Sequence, residues 1–244
     1  IYGVIDMINS FVKPVGIVDT IANILYTISL QIFKPWSPWV YRRIENKETD
    51  SIKENSKLIM HIVWIFCIGI FTVAPELIKL FINAGYAEAS VIVPPICLGI
   101  FFQMMYTFFY DIEYYHKKNK QIALFSVITA VINIVLNYVA IHIWGYQAAA
   151  YTTIISYMIL CVLHYFGMKK VDKTQYYDLK TLISLSAVLI MITIANVVFN
   201  NSIWIRYAIL LGSGIYILIR YKSLVISLYN NILEKIAERK KQSN

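Results

Sequence analysis

"QIALFSVITAVINIVLNYVAI", residues 121–141, carries no charged side chain over a length that crosses a bilayer as α-helix. It nonetheless places two carboxamides, Asn133 and Asn137, four residues apart on one face of that helix. Polar groups at membrane depth are costly and face a bundle interior or a water-filled cavity. What the two asparagines meet therefore bears on both fold and function.

Working outward, six more apolar segments flank this one, at 15–33, 58–78, 91–110, 144–166, 181–199 and 203–219. The whole sequence is 59% hydrophobic and only 15% charged, against about 25% charged in an ordinary soluble domain. The fold class this dictates is an all-α polytopic membrane protein with about seven transmembrane helices. The chain opens at Ile1 without a charged leader or cleavage site, so the expectation is a longer protein whose N-terminal part precedes it. Cys67, Cys97 and Cys161 all fall in apolar segments and read as buried thiols.

Basic residues alternate from one connection to the next. Lys34, Arg42, Arg43, Lys47, Lys53 and Lys57 follow the first segment. Lys117, Lys118 and Lys120 follow the third; Lys169, Lys170, Lys173 and Lys180 follow the fifth. Six more follow the seventh, which places 19 of the 22 Lys and Arg on one side of the membrane. Lys13, Lys79 and Arg206 lie on the other. Basic connections stay in the cytoplasm, so residue 1 is expected outside and Asn244 inside. The formal charge of +8 is this bias together with attraction to membrane lipids, and calls for no nucleic acid. After the last segment, Leu224, Leu228, Ile232 and Ile236 recur every fourth residue ahead of a basic cluster. Two readings fit that tail: an amphipathic helix on the cytoplasmic leaflet, or a solvated helix.

The candidate site residues are the polar groups at depth. Asn133 and Asn137 face a following segment that opens "GYQAAAYTTIISY", residues 145–157, whose alanines permit close helix approach. With a hydroxyl of Thr152 or Thr153 and a backbone carbonyl they would form either an oxygen-rich pocket for Na⁺ or a set of interhelical hydrogen bonds. Asp19 sits near the outer end of the first segment, as a proton or cation partner or an interfacial residue. Gln103 lies mid-membrane in the third segment, and Asp111 and Glu113 lie in an aromatic belt, 106–115, at its cytoplasmic end. Those two carboxylates either line a cavity mouth that admits a polar head group or balance the lysines that follow. Pro75 is expected to break or kink its helix, with Glu76 and Lys79 pairing beside it. Pro94 and Pro95 are expected to distort the start of the third segment.

The four histidines have no metal-ligand spacing, and the sequence holds no nucleophile elbow, Walker loop or Asp-rich metal motif. The chain reads as no enzyme and needs no cofactor beyond a coupling Na⁺ or H⁺.

The ordered landmarks are Pro38-Trp39 with Tyr41, Ala74-Pro75-Glu76, Tyr86, Pro95, the stretch from Glu113 to Lys120, Asn133 with Asn137, and Gly145 followed by Ala148 to Thr153. In this order, over residues 10–170, they resemble the C-terminal half of a Wzx-type polysaccharide-export flippase. These transporters of O-antigen, capsule and exopolysaccharide units belong to the multidrug/oligosaccharidyl-lipid/polysaccharide superfamily. The resemblance implies the second lobe of a two-lobed, MATE-like transporter in residues 1–168. It further implies two additional transmembrane helices in 169–222 and a cytoplasmic tail in 223–244. It also implies a multi-pass protein of the bacterial inner membrane that exposes undecaprenyl-diphosphate-linked oligosaccharide to the outer face by ion-coupled alternating access, alongside polysaccharide assembly proteins. A cation site of some relatives is similar to Asn133, Asn137 and Thr153 by position, with Asn137 where those relatives carry an acidic residue. A small-molecule antiporter of the same superfamily is the alternative, and a membrane polysaccharide polymerase or ligase is the second.

Overall fold

A computed structural model describes residues 33–81, 90–145 and 147–223, with residues 27, 30, 31 and 226 besides. Helix α1 covers 33–45. It is followed by α2 (Thr49–Phe81), α3 (Val93–Tyr115), α4 (Asn119–Trp144), α5 (Ala148–Val171), α6 (Leu179–Val198) and α7 (Ile203–Arg220). The last six are long and apolar enough to cross a bilayer, and they match the expected segments from 58–78 onward. Asp19, most of the first segment, Tyr86 and nearly all of the tail lie outside the described residues.

The bundle is built on α3. It packs against α2, α5 and α6, while α4 packs on α5, and α6 and α7 cover α2. Its core includes Phe71, Phe101, Phe108, Ile68 and Ile112, each at most 1% exposed. The outward side of α4 is the opposite: Val127, Val131, Ile134 and Tyr138 are all more than half exposed. An apolar face that long is stable only against lipid or another protein. The three cysteines are buried free thiols, and Cys161 donates to the Phe102 carbonyl at 3.1 Å.

Several local expectations need correction. The basic connection after the first segment is mostly helix: Lys34, Arg42 and Arg43 belong to α1 and Lys53 and Lys57 to α2, leaving only 46–48 as a turn. Pro35 and Pro38 both lie within α1, whose Trp36 packs on Phe108 with centroids 5.0 Å apart. Pro75 does not break α2, which continues to Phe81. Pro94 and Pro95 fall in the first turn of α3, where a missing N–H breaks no helical bond, so they start the helix rather than distort it. The aromatic stretch 106–115 is not a lipid-facing belt. Phe108 and Phe109 are core, and among the described residues of that stretch only Tyr114 is strongly exposed.

The basic connections do converge at one end. His116 of the α3–α4 turn reaches Asp172 of the α5–α6 loop, and Lys57 lies 3.9 Å from Asp178 at the start of α6. At the opposite end the α4–α5 turn is tight. Gly145 takes φ +76°, a conformation that favours glycine, and its N–H closes on the Ile141 carbonyl at 2.9 Å.

Candidate functional site

The two asparagines form a ladder between α4 and α5. Asn133 Nδ2 donates to Ser156 Oγ at 3.0 Å, and Asn137 Nδ2 donates to Asn133 Oδ1 at 2.9 Å. Thr152 Oγ1 lies 2.5 Å from Asn137 Oδ1 and 2.9 Å from the Ala149 carbonyl. The structure therefore joins the asparagines to Thr152 and Ser156 and not to Thr153. Thr153 bonds its own helix at Ala149 O, 2.8 Å away, and its methyl lies toward Gly99 of α3. Both carboxamide oxygens already accept a hydrogen bond. In this arrangement the ladder is an interhelix clamp, and the expected oxygen pocket of Asn133, Asn137 and Thr153 is not assembled.

Asp111 and Glu113, two residues apart on α3, leave it in different directions. Asp111 is 1% exposed and accepts from Ser37 at 2.9 Å and Tyr41 at 3.5 Å, both on α1. Glu113 is fully buried, with Oε2 2.9 Å from Nδ1 of His164 on α5, itself fully buried. The aromatic rings of Tyr106, Tyr110 and Phe125 surround the imidazole at centroid distances of 5.5, 6.1 and 5.4 Å. Neither carboxylate lines an open mouth here, and sequence reasoning missed His164, whose spacing from the other histidines marks no metal site. Gln103 is half-buried midway along α3, apart from both carboxylates.

A second polar knot ties the connections at the basic end. Asp172 accepts from the Thr174 N–H at 2.9 Å and the Tyr176 hydroxyl at 2.7 Å, and meets His116 Nε2 at 3.2 Å. Burial opposes its charge, but the Thr174 N–H, the Tyr176 and Thr174 hydroxyls and His116 hold its carboxyl at about 2, below the ordinary 3.8. A depressed carboxyl stabilises the fold above its ordinary value and loses that contribution as pH falls through the folded value. After allowance for solvent screening, Asp172→Asn is expected to cost about 1 kcal/mol at neutral pH. In thermal unfolding followed against pH, the gap to wild type should close as the pH falls from 3.8 to about 2; a pH-independent gap would contradict the assignment.

Above this knot lies a cavity of about 420 Å³. Lys53, Lys169 and Lys180, from α2, α5 and α6, share its wall with Tyr165, Tyr176 and Tyr177. Asp178 lines it too, so the three lysines leave an excess of positive charge that suits an anionic group.

No family model matches the sequence, and no curated protein matches it. Among solved structures the chain is similar to lipid II flippase MurJ in an inward closed conformation. The TM-score is 0.61 at 18% identity, over 87% of this chain and 48% of that one. The chain thus shares the all-helical fold of this neighbour and spans about half its length.

Proposed function

We propose that the chain is the second lobe, with two added helices α6 and α7, of a Wzx-type flippase. Its substrate would be undecaprenyl-diphosphate-linked oligosaccharide of an O-antigen, capsule or exopolysaccharide, carried across a bacterial plasma membrane. The observation that supports this most is the fold shared with a flippase over 87% of the chain. The lysine-lined cavity at the basic end supports it further, since a diphosphate head group approaching from the cytoplasm needs cations there. On this reading residue 1 lies outside, the C-terminus is cytoplasmic, and an ion gradient drives alternating access of two lobes.

The test is a deletion followed by sidedness analysis of lipid-linked glycan. Loss of the protein is expected to strand single units on the cytoplasmic leaflet. Units stranded on the outer leaflet would mark a polymerase or ligase instead. Unchanged units with raised drug sensitivity would mark an antiporter.

A further inference from the structure

Glu113 and His164 are each fully buried, with Glu113 Oε2 and His164 Nδ1 2.9 Å apart. The pair is not satisfied. Glu113 Oε1 and His164 Nε2 have no hydrogen-bond partner among the described residues. Gln121 Nε2 of α4, buried near the same carboxylate oxygen beside Gly167, has none either. Leaving such atoms unpaired carries the full desolvation penalty of each, so a purely structural pair would be better replaced by apolar residues.

The charge arithmetic shows what the pair can do. With one proton between them, as Glu⁻ and His⁺ or as two neutral groups, the site carries no net charge and suits closed burial. A second proton leaves one positive charge among aromatic rings. Among the described residues, the groups packed around the pair supply no counter-charge. From α3 come Tyr106 and Tyr110, while Asp111 is turned to Ser37 and Tyr41 of α1. From α4 come Phe125 and Gln121, and the backbone N–H of Lys118 in the turn bonds the Glu113 carbonyl. The positive charge must then reach water.

A route lies next to it. A groove of about 410 Å³ runs between α4 and α5 at the basic end, lined by Gln121, Leu124, Phe125, Phe166 and Gly167, with Lys120 and Lys170 at its rim. Gln121 and Gly167 are the residues that separate this groove from Glu113 Oε1. The two rim lysines repel any added positive charge, so water entry and a wider groove are the way to accommodate it. A metal ion is a poorer occupant, since the pair offers one free carboxylate oxygen and one ring nitrogen.

We propose that Glu113 and His164 form a proton-binding site, and that its second proton, exchanged with the basic side, opens the groove between α4 and α5. This gives the transport reading a coupling ion and a moving part, and rests on that reading only for its role.

The test uses the whole chain in lipid nanodiscs with no substrate. Spin labels go on Leu124→Cys and Phe166→Cys, whose side chains are 56% and 65% exposed, while the native cysteines are buried. Acidification from neutral pH is expected to lengthen the label–label distance. Glu113→Gln with His164→Gln together should abolish that change. A distance that never responds to pH, or responds equally in the double variant, overturns the proposal. Should the double variant fail to fold, His164→Gln alone must displace the response along the pH axis, and an unmoved response overturns it as well. Reconstituted protein that moves no lipid-linked glycan but keeps the distance change would remove the transport reading and leave the proton site.

Discussion

Glu76→Ala is expected to destabilise the protein by about 3 kcal/mol, the low end of the cost of stranding a buried charge. Arg206 of α7 is 3% exposed, and its guanidinium forks onto Glu76 of α2, with Nη1 3.0 Å from Oε2 and Nη2 on Oε1. The same group donates to the Thr72 carbonyl, in the turn of α2 that precedes Pro75. The pair tied to Glu76 is thus Arg206, 130 residues away, and not Lys79. Without Glu76 the guanidinium stays buried with little beyond a backbone acceptor. Glu76 itself is about one-third exposed, 32% by side chain, which keeps the figure at the low end. Replacing both partners by Leu and Met should recover most of the loss. Thermal unfolding in detergent measures this. A change within about 0.5 kcal/mol of wild type would mean the fork behaves as a surface pair.

That pairing marks the limit of what the residues disclose by themselves. Length and apolarity place six helices, because a bilayer-spanning run has to be long and uncharged, but they miss where some begin: α2 starts at Thr49, well before the expected segment 58–78. The alternation of basic residues is legible too, and the basic connections share one end in the structure. Facing is another matter. A soluble helix advertises its buried side by a polar opposite side, whereas α4, α5 and α6 are apolar nearly all round. Sequence alone therefore puts Asn133 and Asn137 opposite a Thr-Thr pair but not which threonine turns to them. It puts Glu113 and His164 near the same end of two helices without saying that they touch. The aromatic stretch 106–115 misleads for the same reason: interfacial tyrosines and core phenylalanines look alike until their faces are known.

Gly167→Ala carries the other large expected effect, a loss of about 2 kcal/mol from overpacking where three helices meet. A Cβ at this position would run into Glu113 Oε1 of α3 and Gln121 Nε2 of α4, and would stand 2.7 Å from Phe125 Cε2. Membrane helices gain their closest contacts through small residues, since lipid offers no hydrophobic drive between them. Relief requires moving the carboxylate that holds His164, so the strain falls on the buried pair as well as on packing. Gly69→Ala in α2 is the matched comparison. Its added methyl meets nothing within 4 Å, and helix propensity favours alanine there by about 0.5–1 kcal/mol. The two substitutions are chemically identical and should move the unfolding midpoint in opposite directions. If Gly167→Ala shifts it upward as Gly69→Ala does, then α5 does not hold Glu113 at this distance. The closed, buried state on which the proton site depends would fall with it.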